Sequence, residues 1–161
     1  KLPEAQLDRF LIKTSIGYPD LQSAEQILAG ASTRDRSAGL EAVITTSAVA
    51  DIITLLSGVH TDPAVLRYTA QLAEQTREDP QTRLGVSVRG SLAMIRAAKV
   101  WAAQEGRTYI LPDDIKALAL PVWEHRIVLD PEAEFAGASA ADVIGRALAD
   151  IAAPQLRNEA A

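Results

Sequence analysis

Gly85-Val-Ser-Val-Arg-Gly90-Ser-Leu-Ala-Met-Ile-Arg-Ala-Ala-Lys99 is the stretch on which the reading of this chain turns. Ser87 can N-cap a helix, and the apolar positions after it recur at helical rather than strand spacing. The spacing predicts one long helix over 88–105, stopped at Gly106, with Val88, Leu92, Ile95 and Ala102 toward a core. The same letters spell part of a phosphate loop. That loop needs Gly-Lys-Ser/Thr at its end, because the Lys reaches the phosphates and the hydroxyl holds magnesium. Here Arg89 precedes Gly90, no Lys follows it and no strand leads into it, so the match is read as chance. Arg89 itself falls in the first turn of the helix. A helix N-terminus attracts anions, and a guanidinium there can fork onto a phosphate; the plainer alternative is a surface ion pair.

Working outward, the neighbouring segments are also helical. Pro112-Asp-Asp opens a helix with acids in its first turn, where the helix dipole favours them, and Pro121 ends or kinks it. Ser139-Ala-Ala-Asp142 resembles a capping box, and its helix places Val143, Ile144, Ala147, Leu148 and Ile151 on one face. Upstream, Asp62-Pro63 is a cap followed by proline at the first helical position. That helix carries Val65, Leu72 and Ala73 inward, and Arg67, Gln71, Glu74 and Glu78 outward. Thr46 or Ser47 caps a helix to Gly58 with Val49, Ile52, Ile53 and Leu56 in register. Asp20 caps another ending near Gly30. Residues 31–44 read as a loop with at most one turn. Residues 3–8 read as the last turns of a helix. Phe10-Leu-Ile-Lys-Thr-Ser-Ile16 is short, apolar and β-branched, and reads as a strand bounded by Gly17, Pro19 and Asp20. A lone strand needs partners that the rest of the chain does not obviously supply.

Composition agrees. Of 161 residues, 29 are Ala and 4% are aromatic, which favours helix over sheet. The predicted fold class is all-α. A short helix-strand remnant of an α/β core at 1–19 precedes a helical bundle at 20–161, whose tail frays. A length near 160 is one domain or slightly more, and can bury roughly 70% of its unfolded surface. No run of about 20 apolar residues exists, so a transmembrane span is not expected. With no Cys and only His60 and His125, thiolate chemistry is absent and a His or Cys metal site is not expected. The net charge of −5 argues against a general nucleic-acid binder. The first residue is Lys1, no signal-peptide pattern follows, and the chain reads as a cytoplasmic piece of something longer. His125, after Trp123-Glu124 at a helix end, reads as a cap or core histidine. Arg9, beside Asp8, reads in isolation as half of a surface ion pair of little energetic weight.

Taken together, the segments resemble one family. Pro3-Glu-Ala-Gln-Leu-Asp-Arg-Phe10, then Gly17-Tyr-Pro-Asp20, resembles the end of the nucleotide-binding core in MoxR-type AAA+ ATPases. Gly85–Lys99 is similar to that family's sensor 2 helix. Gly106-Arg-Thr-Tyr-Ile-Leu-Pro-Asp-Asp-Ile115 and Pro121-Val-Trp-Glu-His-Arg126 resemble the segments that follow. Val88 stands where the family commonly has Pro, and Leu111 where it often has Thr.

The resemblance implies a lid (sensor 2) domain. The full-length ATPase would couple ATP hydrolysis to remodelling or maturing a partner protein, often one with a von Willebrand factor A domain. It implies a homo-oligomeric ring, a hexamer, with ATP and Mg2+ held by a phosphate loop upstream of Lys1. These 161 residues alone should hold neither and should be inactive. It implies that Arg9 is an arginine finger reaching the next subunit's nucleotide. Arg89 would be the sensor 2 arginine on the phosphates, and Tyr18 and Pro19 would lie near the base. The rivals are a free-standing all-α protein-interaction module and the lid of another AAA+ branch. Magnesium-chelatase-like ATPases and replicative helicases are such branches, and the acidic balance disfavours the helicase.

Overall fold

A serine, an aspartate and a glycine set the ends of the central helices, and the architecture follows from them. The computed structural model describes residues 3–30 and 40–155. In chain order the elements are α1 (Glu4–Leu7), α2 (Leu21–Ala29), α3 (Thr46–Ser57), α4 (Pro63–Glu78), β1 (Thr82–Leu84), α5 (Val88–Gln104), α6 (Pro112–Trp123), β2 (Val128–Leu129), α7 (Pro131–Phe135) and α8 (Ala140–Asp150). A 3-10 turn, Glu124–Arg126, links α6 to β2. The fold is all-α with one very small sheet. In that sheet β1 and β2 pair antiparallel, with Thr82 opposite Leu129 and Leu84 opposite Val128. Strands of three and two residues carry no readable period, and sequence reading missed both.

The predicted caps are present. The side chain of Ser87 accepts from the Gly90 N–H at 3.2 Å, Asp62 from Ala64 at 2.7 Å and Asp20 from Ser23 at 2.7 Å. Ser139 and Asp142 form the reciprocal capping box. At α3 the cap is one residue earlier than expected: Thr45 Oγ1 accepts from the Ala48 N–H. α5 ends at Gly106, whose φ of +73° suits glycine. There the Gly106 and Arg107 N–H groups donate back to Ala103 and Ala102, a Schellman closure. Pro121 sits inside α6, which ends two residues later.

The chain divides into two compact units, Lys1–Lys13 with Leu55–Ala161, and Thr14–Thr54. The larger unit holds the core. Val65, Tyr68 and Leu72 of α4 meet Met94, Ala97 and Ala98 of α5, Ile115, Val122 and Trp123 of α6, and Val143, Ile144 and Ala147 of α8. The inner face of α5 corrects the sequence reading. Val88 and Leu92 are exposed, whereas Gly90, Ala93, Met94, Ala97, Ala98 and Ala102 are buried. Small residues around Met94 let α5 lie close to its neighbours, while Val88 and Leu92 face outward; Ala102 is buried as expected and Ile95 packs against the core.

Residues 10–16 form no strand. Among the described residues no neighbour completes a ladder there, and the Lys13 N–H donates singly to the Pro121 carbonyl at 2.9 Å. In the smaller unit, α2 and α3 bury no residue, so the seam of Val49, Ile52 and Ile53 is exposed at helical spacing. The loop assigned to 31–44 lies outside the described residues at 31–39. The frayed tail lies outside them from 156.

Candidate functional site

The site is built where the first turn of α5 meets the segment after α1, all within the larger unit. Gly85 lies so close to the end of α4 that an added Cβ would sit 2.6 Å from both the Arg77 nitrogen and the Thr76 carbonyl. The next residue is held from both sides. The Val86 N–H donates to Thr76 Oγ1 at 2.9 Å, and Arg77 Nη1 donates to the Val86 carbonyl at 2.6 Å. These bonds aim the start of α5 and therefore Ser87 and Arg89.

Asp8 reaches that start. Ser87 Oγ lies 3.1 Å from both Asp8 carboxylate oxygens. Arg89 Nε lies 4.0 Å from the same carboxylate, and its side chain is mostly exposed. The ion pair considered for Arg9 therefore goes elsewhere: Asp8 faces Ser87, Arg89 and Arg126. Arg9 is exposed; its N–H donates to the Gln6 carbonyl, and among the described residues no hydrogen bond or ion pair engages its side chain.

Arg126 lies behind these two arginines. Its side chain is only 2% exposed. Nη1 and Nη2 donate to the Phe10 carbonyl at 2.8 and 2.7 Å, and Nη1 also reaches the Val122 carbonyl at 3.3 Å. Its Nε lies 3.5 Å from Asp8 Oδ1 without forming a hydrogen bond. Burial pulls the Arg126 pKa below the ordinary arginine value. Asp8 opposes that shift, and the nearby Arg89 charge adds to it. His125 packs beside it, with Nε2 at 3.0 Å from the Phe10 carbonyl. Burial lowers the His125 pKa too, the Phe10 hydrogen bond opposes this, and Arg126 lowers it further. His125 is thus a half-buried packing partner at the end of α6, where a cap or core histidine is expected. The indole of Trp123 donates to the Gly90 carbonyl at 3.1 Å and completes the frame around the α5 start.

The structure therefore brings Arg9 and Arg89 into one unit, on backbone joined through Asp8, Ser87 and Arg126. Tyr18 and Pro19 belong to the smaller unit, where the Tyr18 side chain is fully exposed. Sequence reasoning quoted Arg126 within a motif and gave it no role, since only the fold shows it buried. Two exposed guanidiniums on a helix start and the adjoining loop suit phosphate oxygens. No group of three or more His, Cys, Asp or Glu side chains that could hold a metal exists among the described residues. No helix among them is long and apolar enough to cross a membrane.

Residues 74–147 match the AAA lid domain family. The chain is 36% identical over 160 residues to the uncharacterized protein YeaC of Bacillus subtilis, covering 98% of this chain and 49% of that protein. It is 30% identical over 164 residues to the chaperone MoxR1 of Mycobacterium tuberculosis, covering 96% and 43%. It is 38% identical over 91 residues to the MoxR protein of Paracoccus denitrificans, covering 48% and 27%. A crystal structure from Cytophaga hutchinsonii, of a protein assigned as an ATPase, superposes with a TM-score of 0.83 at 29% identity, covering 96% of this chain and 50% of that one. The chain spans about half the length of the curated relatives it matches over nearly its whole extent.

Proposed function

We propose, for a chain that belongs to the MoxR-type AAA+ ATPases and carries their lid domain, that its two exposed arginines serve nucleotide hydrolysis in a longer, ring-forming ATPase. The observation that carries the reading is the pairing of Arg9 and Arg89 on braced backbone. Asp8 and Phe10 on either side of Arg9 are tied down, and so are Ser87 and Gly90 on either side of Arg89. The two guanidiniums are left exposed. Among the described residues the Arg9 side chain has no partner and Arg89 has only the long 4.0 Å ion pair with Asp8, so an incoming phosphate displaces little.

In this reading Arg9 is an arginine finger. It places positive charge on the phosphoryl group departing from a nucleotide held by the adjacent subunit, so hydrolysis depends on assembly. Arg89 is the sensor 2 residue. It contacts the phosphates from the lid and distinguishes ATP from ADP by charge. Tyr18 and Pro19 line the base side. Bound MgATP supplies the transferable phosphoryl group; its phosphate loop and magnesium ligands are contributed by other parts of the full-length protein. The ring is a hexamer in the cytoplasm. It turns hydrolysis into remodelling or maturation of a partner protein, one with a von Willebrand factor A domain. What supports a chaperone-like role is the likeness to the chaperone MoxR1, and it bears on this chain by analogy.

The test is steady-state ATPase assay of the full-length protein with Arg9→Ala and Arg89→Ala. Arg9→Ala lowers kcat by about 10³-fold or more, the range of an arginine finger. Arg89→Ala lowers the rate and narrows the preference for ATP over ADP in competition binding. Rates within about twofold of wild type for both variants would refute the assignment; a folding effect of a surface arginine is far smaller than the loss expected.

A further inference from the structure

Arg126 lies behind both proposed arginines without being exposed beside either. The Phe10 carbonyl, one residue after Arg9, receives both of its terminal nitrogens. The Asp8 carboxylate, one residue before Arg9, faces its Nε at 3.5 Å and also holds Ser87 of the α5 cap. The α5 start presses on the same side chain from the other direction. A Cβ on Gly90 would lie 3.0 Å from Arg126 Cδ and 3.2 Å from Nε, so glycine is what lets the helix lie against the arginine. One guanidinium and its aliphatic stem thus touch the backbone on both sides: the loop carrying Arg9 and the turn carrying Arg89. A buried arginine is a costly brace. Removing its charge from water is unfavourable, and the nearby Arg89 adds repulsion. The bundle already has an apolar core from Val65 to Ala147, so cohesion alone does not call for a charge here.

We infer that Arg126, with Asp8 as its counter-charge, is a positioning residue that fixes Arg9 relative to Arg89, so that finger and sensor move as one body. The inference rests on the nucleotide roles proposed above. It adds that the two roles share a single mechanical support. Lys at 126 would keep the positive charge but has one nitrogen on a flexible stem. It cannot fork onto the Phe10 carbonyl while facing Asp8.

The experiment uses the full-length ATPase with Arg126→Lys, and Asp114→Asn as a control that weakens the unit at its ion pair with Arg107, past the opposite end of α5. Hydrogen exchange without nucleotide is the first readout. Arg126→Lys should speed exchange over both residues 8–13 and residues 87–90, and Asp114→Asn should leave both segments as in wild type. The second readout is kinetic. A displacement of about 1 Å can cost on the order of 100-fold, so kcat for Arg126→Lys should fall by roughly 10- to 100-fold. Its preference for ATP over ADP should narrow in the same variant. Should Arg126→Lys fail to assemble, Asp8→Asn, which removes the counter-charge facing Arg126, carries the same expectations.

Unchanged exchange over either segment, a kcat within about twofold of wild type, or the same changes in Asp114→Asn would overturn the inference. If Arg9→Ala and Arg89→Ala slow hydrolysis while Arg126→Lys does not, the shared support is wrong and the nucleotide roles stand. If Arg126→Lys loosens both segments but neither Arg9→Ala nor Arg89→Ala changes hydrolysis, the nucleotide roles fall and the inference with them.

Discussion

Gly85→Ala tests the junction that aims α5. An alanine Cβ there would sit 2.6 Å from the Arg77 nitrogen, 2.6 Å from the Thr76 carbonyl and 2.7 Å from the Arg77 Cα. All three are backbone atoms of α4, so no side chain can swing aside. Ordinary contact begins near 3.5 Å, and the 84–87 linker must therefore retreat by about 0.9 Å. The Val86 N–H bond to Thr76, 2.9 Å long, would stretch beyond hydrogen-bonding range, and the Arg77 bond to the Val86 carbonyl would weaken with it. Val86 is completely buried, so its N–H finds no water. A buried donor left unmade costs about 1–3 kcal/mol and the weakened second bond about 1 more. Alanine recovers about 0.4–1 kcal/mol by restricting the unfolded chain. The net loss is about 2–3 kcal/mol. For a unit of this size that is on the order of 10 °C in Tm, read by far-UV circular dichroism. A loss under about 2 °C would refute the reasoning, because the linker would then have room that the geometry denies.

Thr76→Val removes the same acceptor without steric change and should cost about 1–2 kcal/mol in urea unfolding, whereas Thr76→Ser, which keeps the hydroxyl, should cost less. Arg107 and Asp114 form a two-point ion pair at 2.8 and 2.6 Å, and Asp114 also accepts the Leu111 N–H at 2.7 Å. Asp114→Asn should therefore destabilise by about 2–4 kcal/mol, with a loss that raised salt does not erase; an equal loss by Asp113→Asn, at an exposed position, would contradict this. Burial raises the Asp79 pKa, but hydrogen bonds from Arg146 and the Gln81 N–H outweigh it and hold the carboxyl below its ordinary value. That contribution is full above the unfolded pKa near 4 and is lost as pH falls through the folded one. Asp79→Asn should flatten the acid limb of the stability curve below about pH 4, measured by urea midpoints, and an unchanged acid limb would contradict the assignment.

What could be read from the sequence was local. Ser87, Asp62-Pro63, Asp20 and Ser139 with Asp142 cap helices through contacts within three residues, so their pattern alone locates the helix starts. The α4 face followed from periodicity because its inward residues are large. On α5 the same rule failed. Apart from Met94 the buried stripe there is small, and the exposed Val88 and Leu92 carried the apparent period. Residues 10–16 have strand composition without strand structure, since a ladder depends on neighbours and not on propensity. Arg9 and Arg89 could be picked out by resemblance. Arg126 could not be given a task, because its bonds to Phe10 span 116 positions in sequence.

The central claim, that Arg9 serves a nucleotide held by the next subunit, is tested most directly by mixing subunits of the full-length ATPase. One population carries Arg9→Ala, and the other is disabled in its phosphate loop; each alone is inactive. In a ring assembled at random from equal amounts, about a quarter of interfaces join an intact loop to an intact Arg9 from the neighbour. The account predicts that ATPase activity reappears on mixing, at up to roughly that fraction of wild type. Mixed rings that assemble fully and stay inactive would contradict it, for Arg9 would then act within its own subunit or not at all.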